Sequence, residues 1–269
     1  MERIKKISPR KFFSYQPICA FKELVRLTPD GKKVFKVADC DYYHVSMLQA
    51  KSIPKVETPI DIYRMNLHGE EKIVYTTNFC SGYDSFYDRP IDCSTREYIL
   101  FNLALCDTLR EMNEADLYSQ DLINTNNLLV NSDYDYRFID FDFSVVNGFA
   151  SKILDGDLKN SYRHIYENYP VYLNRVEQAR LANKIVLLEY LIRGLIFGRV
   201  DEYSSFEFPN EMFPEEFTDE IIAIFSGERI VEWDDYLEDL RKMLLDYDFK
   251  SEAIEKNRNI KMKRLGTFQ

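Results

Sequence analysis

Cysteine and histidine are scarce in this sequence, and their spacing excludes several classes of protein. The chain has 5 cysteines and 3 histidines among its 269 residues. No Cys-x-x-Cys pair occurs, and the histidines lack the spacing of metal ligands. Neither a disulfide framework nor a structural zinc site is therefore predicted. Unpaired thiols of this kind are typical of a reducing, cytosol-like compartment.

Long apolar runs and an excess of positive charge are also missing. No segment approaches the length of a membrane span, which predicts a soluble protein without a transmembrane helix. The chain carries 35 basic against 45 acidic residues, a net charge of −10. Nucleic-acid-binding proteins usually present a basic face, so no nucleic-acid partner is predicted. We expect a cytoplasmic protein, although a secreted effector delivered into another cell would show the same pattern.

The composition is suited to a large folded core. Hydrophobic residues make up 45% of the chain and aromatic residues 14%, which is ample for a globular fold. The sequence contains no internal repeat and no low-complexity linker. We therefore expect one large domain, or two lobes that share one core.

The most informative segment is Asp121 to Asp142, DLINTNNLLVNSDYDYRFIDFD. Its first aspartate stands five residues before Asn126, and a second, Asp140, lies in an apolar stretch. We interpret residues 138–141 as a strand that is apolar until it reaches Asp140. In phosphoryl transfer, one carboxylate positions the attacking hydroxyl, while an amide oxygen and a second carboxylate hold divalent cations against a triphosphate. The segment is typical of such a site.

This segment resembles the catalytic and metal-binding loops of the eukaryotic-like protein kinase superfamily, which includes small-molecule phosphotransferases. Asp121, Leu122 and Asn126 match the Asp, Leu and Asn of the H-R-D-L-x-x-x-N pattern. Asp140 and Phe141 match the first two residues of D-F-G.

Three positions depart from those patterns. Ser119 and Gln120 stand where His and Arg are usual, and Asp142 replaces the Gly. An acidic residue in that last place is similar to distant kinase-like phosphotransferases. Asp142 would either add a third carboxylate near the metal ions or cap the loop.

The resemblance implies an α+β, bilobal protein kinase-like fold. Residues 1–79 would form a small antiparallel-sheet lobe that covers the nucleotide, and residues 80–269 a mostly helical catalytic lobe. Within the second lobe, residues 96–109 are predicted to form a helix that leads into the catalytic loop. Apolar patterns in residues 179–197, 217–225 and 233–245 predict the further helices.

The resemblance also implies an activity and its site residues. The protein would be an ATP- and magnesium-dependent phosphotransferase that transfers the γ-phosphoryl group to a hydroxyl of a protein (Ser, Thr or Tyr) or of a small molecule. Asp121 would be the catalytic base, or at least orient the acceptor hydroxyl, and Asn126 and Asp140 would bind the magnesium ions. Val34-Phe35-Lys36 is similar to the V-A-I-K strand of the family, so Lys36 would bind the α- and β-phosphates of ATP.

The first lobe contains recognisable strands and turns. Residues 21–27 and Lys33 to Val37 are predicted strands, joined by the turn signal Thr28-Pro29-Asp30-Gly31. Residues 57–65 and 72–76 are predicted to form two more strands, and residues 75–79 to connect the lobes. A short helix is predicted over residues 42–51.

That helix leaves one family position open. In the family it carries a Glu that pairs with the phosphate-binding Lys, but here His44 occupies the place. Asp39, Asp41 or Glu57 could substitute, and the sequence does not choose among them.

Two alternative functions stay open. The stretch Phe13 to Ala20, where a glycine-rich phosphate loop belongs, contains no Gly, so the nucleotide would be held differently. An altered phosphate loop is compatible with nucleotidyl transfer to protein hydroxyls on the same fold. A pseudokinase scaffold, which binds partners without catalysis, is the other alternative. Retention of Asp121, Asn126 and Asp140 favours an active enzyme.

Overall fold

The chain folds into an α+β structure with one large mixed sheet, two small sheets and few helices in the part described. The computed structural model describes residues 4–18, 24–86, 95–119, 121–122, 125–150 and 242. The helices are α1 (Pro9–Phe13), α2 (Tyr42–Ala50) and α3 (Thr95–Glu114). The first six strands are β1 (Lys5–Lys6), β2 (Gln16–Pro17), β3 (Val25–Leu27), β4 (Lys33–Val37), β5 (Asp61–Leu67) and β6 (Glu70–Asn78). The later strands are β7 (Asp84–Ser85), β8 (Leu117–Ser119), β9 (Leu128–Val130), β10 (Tyr136–Phe138), β11 (Ser144–Val146) and β12 (Phe149–Ala150).

The large sheet has six strands in the order β1-β5-β6-β4-β3-β2. Its strands pair antiparallel except for β1, which runs parallel to β5. The antiparallel sheet predicted for residues 1–79 is therefore a mixed one. β1 and β2 lie at opposite edges of this sheet, and α1 lies between them in the chain.

The β3–β4 hairpin follows its sequence signals closely. β4 covers the predicted residues Lys33–Val37, and β3 covers Val25–Leu27 of the predicted strand 21–27, whose residues 21–23 lie outside the described part of the chain. The amide of Gly31 donates to the Thr28 carbonyl over 2.9 Å, and Gly31 has a φ of 67°. That left-handed conformation suits glycine because it has no Cβ.

α2 covers nearly all of its predicted range, and β5 and β6 form the predicted hairpin, although β5 begins at Asp61 and β6 extends beyond the predicted strand in both directions. β6 continues to Asn78, so residues 75–78 are strand residues. The Tyr75 backbone lies between Lys36 of β4 and Ile62 of β5. Residues 75–78 of the predicted connector are therefore strand residues, and its role between two lobes stays a prediction. Because Tyr75 and Thr76 are flanked by strands on both sides, their backbones are engaged in the sheet.

The sheet buries a different cluster on each face. Phe12 of α1 packs with Phe35 and Val74 in one core cluster. Ala38, Val45 and Tyr75 form another, against α2. Side chains alternate between the faces of a strand, so Lys36 lies on the α2 side, opposite Phe35.

The chain beyond β6 contributes α3 and two three-stranded sheets. β7, β9 and β10 form one sheet, and β8, β11 and β12 form the other. α3 contains the predicted helix of residues 96–109 and continues to Glu114, three residues before β8. The helices predicted at residues 179–197 and 217–225, and all but Lys242 of the one at 233–245, lie outside the described residues.

One strand prediction near the expected site is wrong. β10 ends at Phe138, and residues 139–141 do not continue it. Asp140 has φ and ψ of 66°, in the left-handed region, and Phe141–Phe143 form a 3-10 turn. A residue in that conformation cannot continue an extended strand, so the chain bends at Asp140.

Among the described residues, no helix is both long and apolar enough to cross a membrane.

Candidate functional site

Lys36 lies at the centre of a cluster of carboxylates. Its Nζ atom is 3.1 Å from Glu57 Oε2 and 3.2 Å from Asp140 Oδ1. The Lys36 side chain is only 10% exposed, and its Nζ lies 5.5 Å from the centre of the Tyr75 ring. The structure therefore brings together two of the predicted site residues, Lys36 and Asp140, which are far apart in the sequence.

Glu57 is the residue that pairs with Lys36, which answers the question the sequence left open among three acids. It lies between α2 and β5, next to Val56, which forms a parallel bridge with Phe138. The Glu57 amide donates to the Phe138 carbonyl over 2.8 Å. The pairing carboxylate therefore comes from an extended segment bonded to the end of β10, and not from α2.

The Glu57 carboxylate also binds two neutral donors. The Asp140 amide donates to Glu57 Oε2 over 2.9 Å, and Thr77 Oγ1 donates to Oε1 over 3.0 Å. One side chain thus holds the lysine, the backbone of Asp140 and strand β6. Buried charges are tolerated when such hydrogen bonds accompany the ion pair.

The electrostatics of the cluster favour a charged lysine. Burial alone lowers the pKa of Lys36, but the neighbouring carboxylates, Glu57 first, outweigh it and hold the pKa of Lys36 well above its ordinary value. Lys36 is therefore a permanent positive charge at neutral pH. A fixed cation of this kind is suited to binding phosphate oxygens.

The conformation of Asp140 is held from both sides. The Ile139 amide donates to the Asn127 carbonyl over 2.9 Å, and the Asp140 amide bonds to Glu57. A left-handed conformation is unfavourable by roughly 1–2 kcal/mol for most residues, and aspartate is one of the few that visit it. Such conformations persist where the surroundings over-determine them, as at functional sites.

Asp121 is joined to this region through Asn127. Asn127 Nδ2 donates to Asp121 Oδ2 over 2.7 Å and to the Asp121 carbonyl over 2.9 Å. Because the Asn127 carbonyl accepts from Ile139, a single residue connects the Asp121 loop to the chain beside Asp140. Asn127 is 1% exposed.

Asn126, the predicted metal ligand, lies differently. It is exposed, and its Oδ1 accepts from Ser85 Oγ over 2.8 Å. Its role in metal binding stays a prediction. The sequence did not single out Asn127, which is the residue that contacts Asp121. The signal for it was that two asparagines are adjacent, so that either one stands near the Asn position of the kinase pattern.

Asp142 is buried against the sheet. Its Oδ2 accepts from the Asp39 amide over 2.9 Å, and its Oδ1 accepts from the Tyr75 hydroxyl over 3.0 Å. Burial raises the pKa of Asp142 above its ordinary value, in spite of the nearby Lys36. These contacts attach Asp142 to the sheet, and the two roles that the sequence left open, a third metal carboxylate or a cap of the loop, stay predictions.

The His44 side chain is buried and bonds to Ser144, not to Lys36. It is 2% exposed, and its Nε2 lies 2.9 Å from Ser144 Oγ. Ser144 Oγ donates to the Phe141 carbonyl over 2.6 Å, so Nε2 of His44 is assigned as the donor to Ser144. Burial lowers the pKa of His44. Its role is to attach α2 to the chain after Asp140.

The donor atoms present suit a magnesium ion that is bound together with phosphates. In the part of the chain that the structure describes, no three histidine, cysteine or carboxylate side chains are grouped to hold a metal ion by themselves. Magnesium usually takes one or two carboxylates, with substrate phosphates and water completing its coordination. Asp140, with a side chain 20% exposed, offers oxygen donors of the required kind.

A scan of the sequence against models of known protein families found no match. A search among curated proteins found no significantly similar sequence. Function is therefore inferred from the arrangement of Lys36, Glu57, Asp121 and Asp140.

Proposed function

We propose that this chain is an ATP- and magnesium-dependent phosphotransferase with a bilobal protein kinase-like fold, acting on a hydroxyl of a protein or small molecule. The observation that carries the proposal is the double pairing of Lys36, at 3.1 Å from Glu57 and 3.2 Å from Asp140. These residues are separated by 21 and 104 positions. A buried lysine fixed between two carboxylates has the form of a phosphate-binding cation beside a metal-binding carboxylate.

Each residue then has a task in binding or orientation. Lys36 would neutralise the α- and β-phosphates of ATP, and Glu57 would hold the lysine in place. Asp140 would bind magnesium, which shields the phosphate charge and orients the triphosphate when bound. A preorganised group of this kind is worth about 10²–10³ in kcat.

Asp121 would orient the acceptor hydroxyl and accept its proton. Its carboxylate is already held by the Asn127 amide over 2.7 Å, so it needs little rearrangement before it acts. Alignment of the acceptor in this way is the main contribution a protein makes to phosphoryl transfer.

The test is a thermal-shift titration with ATP, with and without magnesium. We expect magnesium-dependent stabilisation of the wild type, and loss of it in Asp140→Asn and Lys36→Met. Asp133→Asn is the matched control, because Asp133 is an exposed turn residue whose amide bonds to Asn131 Oδ1. The control should respond like the wild type.

The outcomes separate the candidate functions. An equal response in wild type and Asp140→Asn would remove Asp140 from the site. No response in the wild type would reject the proposal and favour a pseudokinase scaffold. If the protein labels an acceptor, mass spectrometry distinguishes phosphorylation from nucleotidyl transfer, since a phosphoryl group adds far less mass than a nucleotide.

A further inference from the structure

In Phe-Ile-Asp-Phe-Asp, the second aspartate, Asp142, is buried, whereas the first, Asp140, is partly exposed. Asp142 is 3% exposed, while the Asp140 side chain is 20% exposed. Magnesium keeps several water molecules when it binds to proteins, and a carboxylate as buried as that of Asp142 lacks the exposure that suits such a hydrated ion. The two aspartates therefore have different tasks.

We propose that Asp142, held by the Tyr75 hydroxyl, is a positioning residue that keeps Asp140 beside Lys36 and is not itself a metal ligand. This inference rests on the proposed function, because the value of positioning Asp140 depends on Asp140 binding magnesium. It assigns a role to the residue at which the chain departs from the D-F-G pattern.

The contacts of Asp142 lead to the large sheet and to the residues just after β4, among them Cys40, whose Sγ lies 3.8 Å from Oδ1. The Asp39 amide, just after β4, donates to Oδ2 over 2.9 Å. The Tyr75 hydroxyl, from β6, donates to Oδ1 over 3.0 Å. These two donors bind the 3-10 turn after Asp140 to the strands that carry Lys36 and Tyr75. The far end of the turn is attached separately, through Ser144 and His44.

Tyr75 links the turn to the lysine directly. It is the residue opposite Lys36 in the β4–β6 pair, and Lys36 Nζ lies 5.5 Å from its ring centre. Contacts thus run in a closed circuit from Lys36 to Tyr75, to Asp142, along the chain to Asp140, and back to Lys36. Since Asp140 has a left-handed backbone, which needs support from its surroundings, loss of the Asp142 bonds should loosen it.

The first measurement is amide hydrogen exchange in the protein without nucleotide. The variants are Asp142→Asn and the milder Tyr75→Phe, which keeps the ring beneath Lys36 and removes only the hydroxyl. We expect exchange at the amides of Asp39 and Asp140 to rise by about twofold to tenfold in both, in keeping with the loss of one or two net hydrogen bonds.

Tyr136→Phe is the matched control. Its hydroxyl is also buried, and bonds to Thr108 Oγ1 and to the Ala104 carbonyl of α3. Removing it should lower the melting temperature of the protein without changing exchange at Asp39 or Asp140. Unchanged exchange at Asp140 in both Asp142→Asn and Tyr75→Phe would overturn the positioning role.

The second measurement is the magnesium concentration that gives half-maximal stabilisation in the presence of ATP. A positioning role predicts that Asp142→Asn and Tyr75→Phe raise this concentration by similar factors, about twofold to tenfold, while Tyr136→Phe leaves it unchanged. If Asp142→Asn abolishes the magnesium response and Tyr75→Phe behaves like the wild type, Asp142 is a metal ligand and the inference is wrong. If the wild type itself does not respond to ATP, the proposed function fails, and exchange at Asp140 still decides whether Asp142 positions it.

Discussion

Replacing Glu57 by glutamine removes one negative charge from the cluster around Lys36 and changes the shape of the side chain very little. Glu57 accepts from three donors, at 3.1 Å from Lys36 Nζ, 2.9 Å from the Asp140 amide and 3.0 Å from Thr77 Oγ1. In the variant, the glutamine oxygen can occupy the place of Oε2 and accept from Lys36 and Asp140. Its NH₂ group then faces Thr77, whose hydroxyl can rotate to accept.

The expected loss follows from what the glutamine keeps. Hydrogen bonds to charged groups contribute about 1.5–3 kcal/mol and neutral ones about 0.5–1.5 kcal/mol. The bonds from the Asp140 amide and Thr77 become neutral ones, which should lower the free energy of unfolding by about 1–2 kcal/mol. Lys36 keeps its second partner, Asp140, at 3.2 Å, which limits the loss.

Glu57→Ala should be more harmful, because it leaves both the lysine and the Asp140 amide without this acceptor. Breaking a buried pair by removing one partner typically costs about 3–5 kcal/mol. Urea unfolding followed by circular dichroism measures both variants. The control is Glu71→Gln, since Glu71 forms an exposed pair with Arg64, and exposed pairs contribute little.

Two results would refute this reasoning. If Glu57→Gln and Glu71→Gln lower the free energy of unfolding equally, then the buried bonds of Glu57 to Lys36 and to the Asp140 amide do not stabilise the fold more than an exposed ion pair does. If Glu57→Gln is as destabilised as Glu57→Ala, the retained acceptor oxygen has no value, and the hydrogen bonds to Asp140 and Thr77 do not stabilise the fold.

Three further predictions concern neighbouring features. Asn127→Ala should lower the free energy of unfolding by about 1–3 kcal/mol, because it leaves the carboxylate and carbonyl of Asp121 without their donor. Asn126→Ala should change it little. A reversed order in urea unfolding would contradict the structure. The pKa of Asp142 is raised in the folded state, so its contribution to stability is full below its ordinary pKa of 3.8 and is lost as the pH rises through the folded value. The stability difference between wild type and Asp142→Asn should thus be larger near pH 4 than near pH 7. Gly31→Ala, at a φ of 67°, should be destabilised by about 1–2 kcal/mol, and an unchanged melting temperature would argue against the left-handed turn.

Local features of the chain were predictable from sequence. Strand β4 and the Thr28–Gly31 turn match their expected positions because alternation of side chains and the conformational freedom of glycine act over a few residues. Helix α2 was likewise predictable, with Asp41 as its N-cap accepting from the His44 amide over 2.8 Å. α3 was predictable from its apolar periodicity.

The pairing of Lys36 was not predictable in the same way. The sequence offered Asp39, Asp41 and Glu57 as candidates and could not rank them. The choice of Glu57 depends on the bridge between Val56 and Phe138, which joins segments far apart in the chain. No local pattern records such a contact.

The sequence by itself identified the candidate residues for the proposed phosphoryl transfer, because the residue types and their spacing in Asp121–Asp142 are properties of one continuous stretch. Only the tertiary structure decided which of them meet. In the folded protein, Glu57 and Asp140 form ion pairs with Lys36, and Asn127 donates a hydrogen bond to Asp121. The chain also bends at Asp140. The physical reason is that these arrangements are fixed by hydrogen bonds and burial between distant segments, whose geometry exists only once the sheet has formed.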